Sequence, residues 1–262
     1  MSLVGLCSAH GSPGVTVTAV ALAATWPEGR RCLLIEADPF GGVIGARYGL
    51  SDTPGLSSLA AVARRGLDGV VVRRHVQELP GGVAVMVGSA SADEAHAVLR
   101  DVAGPLTSWC ATQDSLDIIV DCGRTAPASP TLEFLAKADV AMVLVRPSID
   151  QLRPAAHRVA ALATAGVTAS MLLVGDSPYG PDEVAATLNV DVDGVLAWDP
   201  RTADVLAGGR GTVRDLRRSP LVRSAATLAA QLASGPPDSE SEVDSTVTAR
   251  PSEIEIAEEV PR

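Results

Sequence analysis

The sequence predicts one α/β domain, built on a mostly parallel twisted sheet of seven to eight strands with helices on both faces. Three observations predict it. Short apolar runs of strand length alternate with helix-compatible stretches along most of the chain. Most of those runs are apolar at successive positions, as strands covered on both faces must be. And 47% of the 262 residues are hydrophobic, ample for a substantial core. Alternation of this kind implies parallel strands joined by right-handed crossovers.

The elements follow in order. Leu3–Cys7 is a buried strand leading through a Gly-rich loop to an apolar helix, Thr16–Trp26, which Pro27 ends. Cys32–Ile35 is the second strand. Val70–Glu78 alternates in polarity and precedes Pro80-Gly81-Gly82, so it reads as an antiparallel edge strand turning into Val83–Val87. A helix over Ala92–Trp109 follows, with Gly104–Pro105 taken as an end signal. Strand Ile118–Val120, helix Ser129–Ala138 and strand Val140–Val145 come next. Helix Gln151–Ala165 is closed by Gly166, and strand Met171–Val174 leads to helix Pro181–Leu188. Strand Val195–Ala197 and helix Leu221–Ser234 complete the body. No internal repeat is visible.

Composition changes near Gly235. Six of the ten net negative charges fall in residues 235–262, with four prolines and several Ser and Thr. Such a segment buries too little apolar surface to offset its ordering entropy. The expected organisation is a domain over 1–234 and a disordered acidic tail over 235–262. An acidic, partner-binding segment around Ile254–Val260 is the sharper reading of the tail.

A net charge of −10 argues against a protein that coats nucleic acid. The four cysteines, Cys7, Cys32, Cys110 and Cys122, are far apart and read as free thiols in a reducing compartment. The four histidines form no metal-ligand spacing, so no structural metal is expected. Leu3–Cys7 follows the start without a basic region, and no run is long and apolar enough to span a bilayer, so a cytoplasmic protein is expected. Of the 21 Lys and Arg residues, only Lys137 is a lysine.

The most informative segment runs from Leu3 through His10-Gly-Ser-Pro-Gly-Val-Thr16 into an apolar helix. A strand that delivers a glycine-bearing loop onto a helix N-terminus makes an anion site. The loop lacks the G-x-G-x-x-G of dinucleotide folds. It resembles instead the deviant Walker A loop, K-G-G-x-G-K-T-T, of the MinD/ParA family of P-loop ATPases. On that pattern His10 stands at the first lysine, Gly11 and Ser12 at the two glycines, and Pro13 at the variable position. Gly14 then takes the last glycine, Val15 the Walker lysine, Thr16 the Mg²⁺-binding threonine and Val17 the second threonine. Further along, Leu33-Leu-Ile-Glu36-Ala-Asp38-Pro-Phe-Gly-Gly resembles the family's D-x-D-P-Q-G. Leu116-Asp-Ile-Ile-Val-Asp121-Cys-Gly123 resembles its Walker B strand. Ala138–Pro147 resembles the strand after it, and Gly194-Val-Leu-Ala-Trp-Asp-Pro200 the late strand and base-contacting loop.

The resemblance spans about residues 1–234 and implies a single Rossmann-like P-loop domain that binds ATP and Mg²⁺ and forms an ATP-sandwich homodimer. It implies a phosphate cradle of Gly11, Ser12, Gly14, Val15 and Thr16, and a metal site of Thr16, Asp38 and Asp121. Asp38 is the candidate catalytic acid. Both family lysines are replaced, by His10 and Val15, so weak or no hydrolysis is expected. Val174-Gly175-Asp176 lacks the family's base-reading asparagine. Family members position chromosomes, plasmids, division sites or pili. Loss of Walker lysines also occurs in the TadZ/CpaE-like branch that localises pilus machinery. The expected function is intracellular positioning, in chromosome partitioning or pilus and secretion assembly, with a nucleotide-free scaffold as the alternative. Expected partners are a second copy and proteins of such a system, with peripheral association at membrane or nucleoid through them. Arg210, Arg214, Arg217, Arg218 and Arg223 form a basic strip, either a solvated face or a contact for DNA or acidic lipid. A Ser hydrolase is disfavoured by the absence of G-x-S-x-G.

Overall fold

The computed structural model of the chain describes residues 2–11, 13–209, 211 and 213–234, the side chains of 213–215 excepted. Ser12, Arg210, the Arg214 side chain and the acidic segment 235–262 therefore lie outside the described residues.

Strand β1 (Leu3–Ser8) leads to helix α1 (Val15–Ala24) and strand β2 (Arg31–Glu36). Three short helices follow, α2 (Ile44–Tyr48), α3 (Leu56–Ala63) and α4 (Gly69–Arg73). Then come β3 (Gln77–Leu79), β4 (Val83–Met86), α5 (Ala92–Cys110) and β5 (Leu116–Arg124). Next are α6 (Leu132–Lys137), β6 (Val140–Val145), α7 (Ile149–Thr164) and β7 (Ala169–Val174). The chain continues through α8 (Pro181–Leu188), β8 (Val192–Leu196), α9 (Pro200–Leu206), α10 (Val213–Arg218) and α11 (Pro220–Ser234).

The eight strands form one sheet in the order β3-β4-β2-β5-β1-β6-β7-β8. Only the β3–β4 pair is antiparallel, with Glu78 opposite Ala84. Alternate residues of each strand feed two cores. One face packs α3, α5, α6, α7 and α8 through residues such as Leu59, Leu106, Phe134, Leu152 and Val184. The other packs α1 and α11 through Leu22, Val20, Leu228 and Ala225. The expected α/β architecture is therefore present, with helices on both faces.

β1 lies at the centre, between β5 and β6. From it the chain turns one way to β2, while β6, β7 and β8 extend the other way. The carboxyl end of β1 is thus a topological switch point, where open α/β sheets bind ligands. Helix α1 lies along β5, clamped at its far end by Asp117. That carboxylate, 2% exposed, accepts bonds from Trp26 Nε1 at 2.8 Å, Ser2 N at 2.8 Å and both Arg30 Nε and Nη2 at 2.6 Å. The clamp fixes the end of α1 opposite its loop.

Two expectations are corrected, and several short helices lie outside the elements expected. Val70–Glu78 is not one edge strand: its first half is α4, and only Gln77–Leu79 pairs with β4. Asp68 Oδ1 accepts from Val70 N and Val71 N, both at 2.7 Å, and this cap overrides the β preference of three valines. Gly104–Pro105 does not end α5, which continues to Cys110. Pro105 is on the exposed face, where water can satisfy the freed carbonyl. The short helices α2, α3 and α9 lie in stretches the pattern left unassigned. Among the described residues no helix is long and apolar enough to cross a membrane.

Candidate functional site

At the end of β1, Ser8 O accepts from Thr125 N at 3.0 Å, tying the loop to the segment after β5. Gly14 adopts φ 95°, ψ 37°, a left-handed conformation that strains residues with a Cβ. Thr18 N donates to Gly14 O at 2.9 Å and opens α1. Among the described residues no side chain caps this helix, and its first turn carries no acid. Its first amide N–H groups therefore face outward unpaired, along the positive end of the helix dipole. A Cβ built at Gly11 or Gly14 meets nothing within 4 Å, so the space over the loop is open.

The replaced lysines are as the sequence suggests. Val15 is 6% exposed and packs into the α1-side core, while His10 is exposed. Lys137 does not compensate. It ends α6, just before β6, and β6 runs parallel to β1 with Met142 opposite Leu6. Lys137 is therefore at the amino edge of the sheet, a strand length of roughly 20 Å from the loop.

The acids do converge. Asp121 is fully buried at the end of β5, with Oδ1 accepting from Gly123 N at 3.0 Å and Oδ2 without a partner. Thr16 faces this carboxylate without closing a hydrogen bond to Oδ2. Asp38 sits on Gly123: a Cβ there would collide with Asp38 Cγ. Gly123 has φ 55°, so the site needs glycine twice over at this position. Asp38 Oδ1 also accepts from Phe40 N at 2.8 Å. Glu36, the other acid of the matched motif, is 1% exposed and pairs across the strands with Asp121, but its oxygens are taken up by backbone amides. Its Oε1 accepts from Val43 N and Ile44 N at 2.6 and 2.8 Å, and Oε2 from Gly88 N at 3.0 Å. Glu36 is a structural anchor for the loop before α2.

Burial pushes the Asp121 carboxyl up to about 7, with Thr16 opposing and the charges of Glu36 and Asp38 adding to the rise. Burial also raises Glu36 and Asp38 above the ordinary carboxylate range, partly offset by the amide donors and, for Asp38, by Arg124. Among the described residues no three His, Cys, Asp or Glu side chains are placed to hold a metal. Two carboxylates and one hydroxyl remain at the loop. That set fits magnesium, which takes one or two carboxylates and completes its shell with phosphate and water. The orphaned Asp121 Oδ2 is the observation that fits it best.

A raised folded pKa means that the unfolded chain releases its proton first, so stability falls as pH rises between the unfolded value near 4 and about 7. The Asp121→Asn variant is expected to be more stable than wild type at pH 7.5 and to show a flatter melting temperature across that range. Calorimetric melting in buffers from pH 4 to 8 checks this.

Two arginines lie over aromatic rings beside the loop. Arg124, the last residue of β5, is 4.0 Å from the Phe40 centroid, and Arg146, after β6, is 3.9 Å from that of Trp198. Both rings are about half exposed. Trp198 and Arg146 line a cavity of about 320 Å³ together with Pro13, Gly14 and Val17. Asp199 next to Trp198 is an N-cap: Oδ1 accepts from Thr202 N at 3.1 Å and Oδ2 from Ser219 Oγ at 2.7 Å. Trp198 is therefore not a packed core residue. Neither arginine–ring contact is legible in the sequence, because only the sheet order brings the end of β5 beside the loop after β2 and the end of β6 near the loop after β8. A larger cavity, about 750 Å³, lies at the amino edge of β2, remote from these groups. Arg217, Arg218 and Arg223 of the basic strip are exposed.

The fold is that of MinD/ParA-like P-loop ATPases. The ParA family ATPase of Chlorobium tepidum superposes with a TM-score of 0.71 at 17% identity, covering 87% of this chain and 98% of that one. The cell division ATPase MinD of Pyrococcus furiosus gives 0.70 at 18% identity, covering 89% and 99%. The septum site-determining protein MinD of Pyrococcus horikoshii, solved with Mg-ADP, gives 0.70 at 17% identity, covering 93% and 98%. Comparison with protein-family models and with curated proteins finds no match.

Proposed function

We propose that this chain is a degenerate MinD/ParA-like nucleotide-binding protein of an intracellular positioning system, in chromosome partitioning or pilus and secretion assembly. It binds ATP with Mg²⁺ and hydrolyses it weakly or not at all. The observation that carries the reading is the orphaned, fully buried Asp121 Oδ2 facing Thr16 beneath the uncapped N-terminus of α1. An unpaired carboxylate in such a place is costly unless a ligand completes it.

In this reading Gly14 and the first amides of α1 bind phosphate, with Gly11 and Ser12 completing the loop. Thr16, Asp38 and Asp121 hold the metal, which when bound supplies neutralisation of phosphate charge. Asp38 is the group nearest the role of orienting water. With Val15 in place of a lysine, charge developing on the terminal phosphate lacks its usual partner, which is why slow turnover is expected. Residues 1–234 form the switch domain and 235–262 an acidic tail. A homodimer across the loop face, with partner proteins on it, is part of the reading.

Isothermal titration of ATP with and without Mg²⁺ tests binding. Measurable heat that depends on Mg²⁺ is expected; no heat and no thermal shift at millimolar ATP would discard the reading. Phosphate release compared between wild type and Asp38→Ala tests turnover. Equal rates would assign any activity to contamination. The alternative, a nucleotide-free scaffold, is favoured by one observation, the burial of apolar Val15 at the lysine position. Size-exclusion with and without Mg-ATP separates the two: a nucleotide-driven dimer supports the switch, a constant species the scaffold.

A further inference from the structure

An anion at the α1 terminus needs a cation, and neither Val15 nor the remote Lys137 supplies one. We propose that Arg146 does: its guanidinium, fixed on the Trp198 ring, is the phosphate ligand of this site for a nucleoside di- or triphosphate, and Trp198 is its positioning residue. This rests on the nucleotide-binding reading above.

Placement comes first. Ser8 pairs with Leu144 across β1–β6, so Arg146 leaves the sheet two residues later, directly beside the loop. It shares a cavity wall with Pro13, Gly14 and Val17. The next point is charge. Among the described residues the ion pairs are Arg30–Asp117 and Arg64–Asp101, and neither involves Arg146. Asp199 on the same wall is taken up by Thr202 N and Ser219 Oγ. Arg124, the other stacked arginine, already faces the Asp38 charge.

Desolvation adds to this. Arg146 Nε is shielded from water and has no hydrogen-bond partner. A shielded cationic donor left unpaired is costly, and the side chain as a whole is only partly buried, so an anion in the cavity can reach the guanidinium and offset that cost. Arg47 and Arg158 carry similar orphan nitrogens, but neither lines the loop cavity. Finally, the guanidinium plane is held 3.9 Å from the Trp198 centroid, which fixes its fork before any ligand arrives. Asp121 Oδ2, fully buried and also unpartnered, marks the metal side of the same loop.

The test is calorimetric titration of the full chain with Mg-ADP and, separately, with inorganic pyrophosphate. Arg146→Ala is expected to weaken both at least about tenfold, the scale of a lost charge-assisted hydrogen bond. Arg146→Lys is expected to recover only part, because lysine keeps the charge without the planar fork. Trp198→Leu is expected to weaken binding and Trp198→Phe to restore it, a rescue that a merely structural role would not show. Iodide quenching adds a direct readout. Trp26 and Trp109 are 8% and 7% exposed against 51% for Trp198, so quenching reports mainly on Trp198. Mg-ADP is expected to change it in wild type and not in Arg146→Ala. If wild type binds and Arg146→Ala binds equally well, the inference fails alone. If wild type binds neither ligand, the nucleotide reading falls and the inference with it. Should Arg146→Ala not fold, Arg146→Lys and the Trp198 pair decide.

Discussion

Gly123→Ala is expected to abolish Mg-ADP binding and to destabilise the fold by several kcal/mol. Two effects combine. At φ 55° a side chain incurs left-handed strain of about 1–2 kcal/mol. The new Cβ also collides with Asp38 Cγ, so Asp38 must leave its place. The two effects separate in a double-mutant cycle. In an Asp38→Ala background the carboxylate that causes the collision is absent, so mainly the strain remains. Gly123→Ala should therefore be much milder there than in wild type. Chemical denaturation of the four proteins measures the coupling, and equal penalties in both backgrounds would refute the contact.

Asp117→Ala is expected to destabilise the protein by about 3 kcal/mol while leaving the loop chemistry intact. The loss strands Trp26 Nε1 and Ser2 N, two donors buried at the amino edge. Arg30 is partly exposed and rehydrates, so it adds little. Burial alone would raise the Asp117 carboxyl, but Arg30, Trp26 and Ser2 together hold it below the ordinary carboxylate range. A depressed folded pKa contributes stability above the unfolded value and loses it as pH falls through the folded one. The difference between wild type and Asp117→Ala should therefore shrink below about pH 4. Urea titrations at pH 3 and pH 7 test the sign.

These two sites show what the sequence could and could not reveal. The central strands were legible because parallel strands under two layers of helix must be apolar throughout, and the runs at Leu3, Val140 and Met171 are. Asp121 and Gly123 were legible as a motif, but their contact with Asp38 was not, since it depends on β2 lying beside β5. Asp117 gave no signal. It looks like an ordinary polar start to a strand, and its three partners are distant in sequence. The Val70–Glu78 misreading has a local cause: one aspartate cap outweighed a run of valines. Arg146 was in view as part of an apolar run ending in Arg-Pro, but only the fold brings Trp198 against it.

Lys137 has a practical consequence. It is the sole lysine of the 262 residues, it is exposed, and it stands at the edge of the sheet away from the loop. Amine-directed acylation can therefore modify one side chain only, far from every group that would touch a ligand. A fluorophore or surface tether attached there would leave the loop face free.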